Sequence, residues 1–289
     1  MQPATGDSPD RCVETQQEGD TFTCATINDA LSLRLLSVRC QESQAQALVN
    51  QDYVQMWVQR DGSSLCFCVC DGVGSSYRGD FAAHYLGTHL VKWLCALTPA
   101  DLSLTASATH LHTDMLAWAR DAHTHLLRLP LSPEMPALVG EVLAELRDSY
   151  GSGAVFFAGR IDCASWSTDL SVSHPTEAFF CWMGNVTARV FITADQYITL
   201  GGEEEQGGQW STACGLRGSL TTWNIGLTTI ERLIVHTDGL QAIGHTLANL
   251  DDAALQARVQ QLLTLPGSDD MTVLDLRWLH KAAAGTGRG

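Results

Sequence analysis

Aspartates at the ends of apolar segments are the residues of this chain whose types and spacing could do chemistry. Most of them stand beside a glycine or a second aspartate. A carboxylate in such a position is costly to bury unless it is paired or binds a cation. Several such ends meeting in one cleft would form the all-oxygen site that Mg²⁺ and Mn²⁺ prefer. The candidates are Asp52, Asp71, Asp148, Asp238, Asp269 and Asp270.

A simpler alternative exists for each aspartate taken alone, because an Asp-Gly pair after a strand is most often a turn. The segment "LCFCVCDGVG" raises a second alternative, since three cysteines precede Asp71. Thiolates are soft ligands and suit Mg²⁺ or Mn²⁺ poorly. Alternate residues of a strand share one face. We therefore expect Cys66, Cys68 and Cys70 to pack together as small apolar side chains.

The elements that must position these aspartates follow from the hydrophobic periods of the sequence, which are two in strands and three to four in helices. Early and late runs of strands enclose a group of helices, which favours antiparallel sheets covered by helices over a regular βαβ arrangement. The predicted fold class is α+β. Predicted strands cover 31–40, 52–59, 65–70, 153–161, 178–184, 186–193, 219–227, 231–238 and 271–279, with an Asp-Gly hairpin turn at 60–64 and helices at 80–97, 108–129, 133–148 and 251–263.

Composition limits the domain organisation and the classes of partner. Of the 289 residues, 45% are hydrophobic and 17% are charged, which is ordinary for a globular protein. We expect one domain over 25–281, with flexible tails at 1–24 and 282–289. A net charge of −15 disfavours nucleic acid and anionic membranes as partners. No apolar run reaches a membrane-spanning length and no export signal is apparent, so we expect a cytoplasmic protein with reduced cysteines.

Six segments of the chain, taken in order and spacing, resemble one family. The resemblance is to the metal-dependent type 2C serine/threonine phosphatases, especially their compact bacterial members, and it runs from about residue 35 to residue 279. It implies a four-layer α-β-β-α sandwich of two antiparallel sheets flanked by helices, with a two-metal site at one edge of the sheets. The segments are "NQDYV", "CDGVGSSYRGDFAA", "DSYGSGAVFF", "FFCWMGNVTARV", "VHTDGL" and "SDDMTV".

The resemblance implies roles for individual residues in binding Mn²⁺ or Mg²⁺. Asp71 matches the aspartate that bridges both ions, and Gly72 matches the glycine whose carbonyl binds one of them. Asp238 and Asp269 match the other two carboxylates on the first ion. Asp52 matches the residue that orients water at the second ion. The reaction implied is attack on phosphorus by a hydroxide that bridges the two ions, with Asp71, Asp238 and Asp269 holding it in place.

Other positions are implied to support the site or depart from the family pattern. Asp148 matches the ligand of a third, weaker ion that shares Asp238. Asp270 stands where the family usually has Asn, so we expect it to lie behind the metal ligands. Val73 replaces a histidine proposed as general acid in some members, which leaves protonation of the leaving group to water. Asn185 replaces the usual Asp, and we expect this change to affect structure rather than chemistry.

Two further departures concern water and phosphate near the second ion. Gln51 replaces the usual Glu before the early Asp and still bonds water. Ala47 stands where eukaryotic members have an Arg that anchors the substrate phosphate. Arg78, in "SSYRGD", is a candidate replacement for that phosphate contact. The simpler expectation for Arg78 is an ion pair with Asp80 or exposure to solvent.

The resemblance leads to a main functional hypothesis and two alternatives. The main one is a monomeric phosphatase that hydrolyses phosphoserine and phosphothreonine in proteins and opposes a cognate Ser/Thr kinase. The first alternative is a catalytically weak phosphoprotein-binding or scaffold module of the same fold, motivated by the departures from the family pattern. The second is a hydrolase of small phosphorylated molecules.

Overall fold

The computed structural model describes residues 10–28, 31–59, 63–98, 104–131, 136–163, 175–202, 208–226 and 230–279. Within these ranges the chain forms fourteen strands, which are β1 Arg11–Glu14, β2 Thr21–Asn28, β3 Leu31–Val38, β4 Tyr53–Val58, β5 Ser64–Gly72, β6 Gly153–Cys163, β7 Pro175–Met183, β8 Thr187–Phe191, β9 Tyr197–Gly201, β10 Gln209–Ser211, β11 Gly215–Arg217, β12 Thr221–Ile225, β13 Arg232–His236 and β14 Met271–Trp278. The α-helices are α1 Gln41–Ala45, α2 Gly79–Ala96, α3 Leu104–Leu127, α4 Ala137–Glu145 and α5 Asp252–Leu263. A π-helical turn covers Leu146–Tyr150, and a 3₁₀ helix covers Asp238–Asn249.

The strands form two sheets in which hydrogen-bonded neighbours run antiparallel. One sheet has the order β1-β4-β5-β6-β10-β11, and β7 also pairs with β6 and carries β12 on its far side. The other sheet has the order β2-β3-β14-β13-β8-β9. β4 and β5 are adjacent antiparallel strands, which matches the predicted hairpin. The turn predicted at 60–64 falls largely on residues 60–62, outside the described ranges.

Three hydrophobic clusters separate four layers, and β5 shows how the sequence builds them. Phe67 and Val69 face the core between the two sheets. Cys66, Cys68 and Cys70 alternate with them and pack against α2 and α3 on the other side. A third cluster packs the 3₁₀ helix and α5 on the second sheet. The predicted α-β-β-α sandwich is confirmed, and the three cysteines are fully buried on one face, as expected.

The amino-terminal part of the chain is where the sequence prediction was wrong. A flexible tail was predicted through residue 24, but β1 pairs with β4, and β2 begins at Thr21 and pairs with β3. Both are edge strands whose side chains are mostly exposed or half-buried, so they carry little hydrophobic period. β1 is held by backbone bonds to the distant β4, whereas β2 pairs with β3, the next strand along the chain. The tail predicted at 282–289 lies outside the described residues.

The middle of the chain differs from the prediction in its details. The helix predicted over 133–148 is α4, which begins at Ala137 and continues into the π-helical turn. Between β8 and β11 the described part of the chain contains two short strands, β9 and β10, that the sequence did not predict. No helix in the described ranges has both the length and the apolar character needed to span a bilayer.

Candidate active site

Three of the predicted aspartates lie together where strand ends of the two sheets meet. β5 ends in Asp71 and Gly72, Asp238 follows β13, and Asp269 precedes β14. All four residues line one cleft of about 790 Å³. Among the described residues that line this cleft, none is Lys, Arg or His. The cleft therefore concentrates negative charge without an internal counter-ion.

Asp52 lies directly behind Asp71 and is almost completely buried, with 2% of its surface exposed. It precedes Tyr53, which stands opposite Cys70 in the β4–β5 register. The hydroxyl Oγ1 of Thr237 donates a hydrogen bond to Oδ2 of Asp52 over 2.9 Å. Because Asp52 directly precedes β4 of one sheet and Thr237 follows β13 of the other, this bond joins the two sheets behind the cleft. The sequence analysis did not identify Thr237, whose only local signal is its place before Asp238.

Asp270 is also buried and binds backbone groups rather than the cleft. Its Oδ1 accepts a hydrogen bond from the backbone N–H of Cys40 at 2.8 Å, and its Oδ2 accepts one from the backbone N–H of Gln51 at 2.7 Å. The carboxylate thus anchors the segment that carries Asp52. It lies behind the cleft, where it was expected.

Two glycines let the backbone approach closely enough to form the cleft. A Cβ added to Gly72 would lie 2.4 Å from the backbone carbon of Gly79, at the start of α2. A Cβ added to Gly239 would lie 2.1 Å from the carbonyl oxygen of Asp270. The contacting atoms are backbone and cannot move as a side chain does. The Asp-Gly pairs of "CDGVG" and "HTDGL" are therefore required for packing.

Burial and mutual repulsion raise the pKa values of three carboxyl groups here. The pKa of Asp71 lies well above its ordinary value, first because burial disfavours the charged form and then because of the carboxylates of Asp52 and Asp238. Burial followed by the charge of Asp270 raises the pKa of Asp52 in the same way. Burial is also the first cause of the raised pKa of Asp269. A bound cation would relieve this repulsion.

Asn185 is a neighbour of the site whose contact the sequence did not predict. Its side-chain Nδ2 donates a hydrogen bond to Oδ2 of Asp238 at 2.7 Å, and Asn185 itself lines the cleft. A carboxylate at this position would repel Asp238, whereas the amide holds and orients it. The replacement of the usual Asp therefore acts directly on a predicted metal ligand.

Two predicted site residues do not join the others. Asp148 lies in the π-helical turn, is exposed, and accepts a hydrogen bond from Nε of Arg147 at 2.9 Å. It does not line the cleft. Arg78 binds the carboxylate of Asp80, with Nη2 at 2.6 Å from Oδ2, which is the alternative that the sequence favoured. Both assigned roles, the third-ion ligand and the phosphate contact, remain predictions.

Similarity to known proteins identifies the family of this chain. Residues 41–275 match the family described as Protein phosphatase 2C. The chain belongs to this family. No curated protein sequence matches it.

Solved structures share the fold of this phosphatase 2C family member at low sequence identity. A bacterial serine phosphatase matches with a TM-score of 0.56 and 12% identity, over 87% of this chain and 99% of its own. The serine/threonine phosphatase Stp1 from Staphylococcus aureus gives 0.56 and 12%, over 92% and 98%. RsbX in complex with magnesium gives 0.53 and 14%, over 90% and 100%. At these identities the matches establish the fold.

The donor atoms of this phosphatase 2C cleft suit a hard divalent ion. They are carboxylate oxygens and the backbone of Gly72, the class of oxygen ligand that Mg²⁺ and Mn²⁺ prefer. Within the described residues, no three His, Cys, Asp or Glu side chains are grouped closely enough to hold a metal by themselves. This does not conflict with Mg²⁺, which commonly binds through one or two carboxylates and keeps several waters.

Proposed function

We propose that this chain is a divalent-metal-dependent phosphatase that hydrolyses phosphoserine and phosphothreonine in proteins. The observation that carries the proposal is the convergence of Asp71, Asp238 and Asp269, from both sheets, on one cleft whose described lining residues include no cationic side chain. A phosphate dianion would be repelled by such a cleft unless cations were also bound there. Family membership supports the same reaction.

The residues proposed to hold two Mn²⁺ or Mg²⁺ ions are the side chains of Asp52, Asp71, Asp238 and Asp269 and the carbonyl of Gly72. When bound, the ions supply positive charge for the phosphoryl oxygens and lower the pKa of water enough to provide hydroxide near neutral pH. Exposed Asp148 is proposed to contribute only to a third, weaker ion.

The remaining contributions come from the protein itself. Thr237 fixes the rotamer of Asp52, and Asn185 fixes that of Asp238. Leu265 lines the cleft and is exposed, and burying it against a substrate would exclude water from the reacting centre. Val73 cannot donate a proton, so the leaving Ser or Thr oxygen takes its proton from solvent. The proposed partners are a phosphorylated protein and the kinase that modifies it.

The test is phosphate release from p-nitrophenyl phosphate and from a phosphothreonine peptide with Mn²⁺, and with EDTA as the metal-free control. Asp71→Asn should abolish metal-dependent turnover. Asp195→Asn, at an exposed position away from the cleft, is the matched control and should retain it. Absence of metal-dependent turnover on both substrates would refute the enzyme and favour the scaffold alternative. Turnover of p-nitrophenyl phosphate alone would favour a hydrolase of small phosphate esters.

A further inference from the structure

Gln17 lies in the connection between β1 and β2, and its side chain binds two segments that are far away along the chain. Its Nε2 donates hydrogen bonds to the carbonyl oxygens of Asn50 at 3.0 Å and of Asp80 at 3.1 Å. The carbonyl oxygen of Asp52 lies 3.5 Å from the same nitrogen. Carbonyl oxygens only accept hydrogen bonds, so the amide nitrogen of Gln17 must face them. The side chain therefore ties the segment that carries Asp52 to the first turn of α2.

The backbone around Gln17 is fixed against the same segment. The Gln17 carbonyl oxygen accepts a hydrogen bond from the backbone N–H of Asn50 at 2.7 Å. Two residues earlier, the backbone N–H of Thr15 donates to the carbonyl oxygen of Val54 at 3.0 Å, and Oγ1 of Thr15 accepts from the N–H of Val54 at 3.0 Å. Gln17 is thus held in place beside residues 50–54 by main-chain bonds, and its amide bridges from there to Asp80.

The two segments that Gln17 joins are the walls of the narrow gap that holds Gly72. A Cβ added to Gly72 would lie 2.4 Å from the backbone carbon of Gly79 and 2.9 Å from the carbonyl oxygen of Gln51. The N–H of Gly72 also donates a hydrogen bond to that oxygen of Gln51 at 3.2 Å. Gln17 binds the residue that adjoins each wall in the chain. Its amide therefore holds the walls at the separation that Gly72 occupies.

We propose that Gln17 is a positioning residue for the metal centre, which sets the positions of the Gly72 carbonyl and of the Asp52 carboxylate. The inference rests on the proposed function, because it takes these two groups as members of the set that holds the ions. Gln17 lies outside residues 41–275, the part of the chain that matches the family, so family membership assigns it no role. Removing a group that orients metal ligands typically weakens metal binding by roughly 10–100-fold.

A positioning role and a purely structural role predict different results. If Gln17 only stabilised the fold, its loss would lower the melting temperature, but the folded protein would bind Mn²⁺ as tightly as the wild type. If Gln17 positions the site, the folded protein itself binds Mn²⁺ more weakly, because part of the binding free energy is used to bring the walls around Gly72 back into place. Metal affinity measured on folded protein therefore separates the two roles.

The test measures Mn²⁺ binding to the full-length protein by isothermal titration calorimetry without substrate, beside thermal denaturation in EDTA. Gln17→Met keeps the approximate length of the side chain and removes both N–H donors. Gln17→Ala is a second variant, in case the methionine form fails to fold. The matched control is Gln16→Met, at the adjacent residue, which is exposed.

Both Gln17 variants should remain folded in EDTA, because the bonds they lose are only partly buried and water can replace the missing donors. Each should bind Mn²⁺ about ten-fold more weakly than the wild type. Gln16→Met should bind Mn²⁺ with the affinity of the wild type.

Three results would overturn this proposal alone. One is an unchanged Mn²⁺ affinity in the folded Gln17 variants, and another is an equal loss of affinity in Gln16→Met. The third is unfolding of both Gln17 variants in EDTA, which would show that the residue holds the fold rather than the site. A wild type that binds no Mn²⁺ would refute the metal centre of the proposed function together with this inference. A wild type that binds Mn²⁺ but hydrolyses neither phosphatase substrate would refute the proposed function only.

Discussion

Replacing Asp270 by Asn tests whether this buried carboxylate supports the cleft through the backbone. In the wild type, each carboxylate oxygen accepts one backbone N–H, from Cys40 at 2.8 Å and from Gln51 at 2.7 Å. An Asn side chain has one acceptor oxygen, so its NH₂ group must face the other N–H donor. One charge-assisted bond is lost, the other becomes neutral, and a buried donor is left unsatisfied.

The expected cost is a few kcal/mol before compensation. Loss of a hydrogen bond to a charged group with an unsatisfied buried donor costs roughly 2–4 kcal/mol. Removing the negative charge returns part of this, since Asp270 is the first charged group that raises the pKa of Asp52. A net loss of about 2 kcal/mol would lower the melting temperature by roughly 4–8 °C for a domain of this size.

The assay is thermal and urea denaturation in EDTA, so that metal binding does not contribute. Asp269→Asn is the matched control, because it keeps the Oδ1 acceptor for the N–H of Asp270 and removes a carboxylate whose pKa is raised. This control should be as stable as the wild type or more so, and it should lose metal-dependent activity. An Asp270→Asn protein as stable as the wild type would refute the reasoning.

Three further perturbations address the site and its surroundings. Asn185→Ala removes the hydrogen bond to Asp238 and should raise the half-saturating Mn²⁺ concentration about ten-fold. This concentration is measured by titrating phosphatase activity with Mn²⁺. An unchanged value would contradict the role assigned to the amide. His236 is buried, and burial is the first cause that lowers its pKa to about 4. Folding therefore favours the neutral imidazole. The free energy of unfolding should fall by up to about 3 kcal/mol as the pH drops from about 6.5 to 4. Urea midpoints of wild type and His236→Gln across this range should converge toward low pH, and parallel curves would contradict the assignment. Leu265 is exposed and lines the cleft, so Leu265→Asp should lower kcat/KM for the phosphothreonine peptide several-fold. The control is Leu138→Asp, at a more exposed residue outside the cleft, which should leave kcat/KM unchanged. Equal effects of the two variants would show that Leu265 does not contact the peptide.

The sequence by itself determined the elements in which the spacing of apolar residues shows which side chains are buried. In β5, the alternation of the strand predicts that Cys66, Cys68 and Cys70 pack together on one face, and the structure has them there, with Phe67 and Val69 on the other. The same strand places Asp71 at its end, and the order of the six family segments leads to the sandwich. These features are local patterns, and a local pattern is sufficient because burial follows the period of the side chains along the chain.

The tertiary structure alone decided which distant groups meet. The hydrogen bond from Thr237 to Asp52 joins residues 185 positions apart, and no local sequence pattern predicts it. The same holds for β1, an edge strand held by backbone bonds to β4. Asp148 is paired with Arg147 in the π-helical turn and does not line the cleft, and its role as the ligand of a third ion stays a prediction. Hydrogen bonds, ion pairs and edge-strand pairing depend on the path of the chain in space, which the hydrophobic period does not encode.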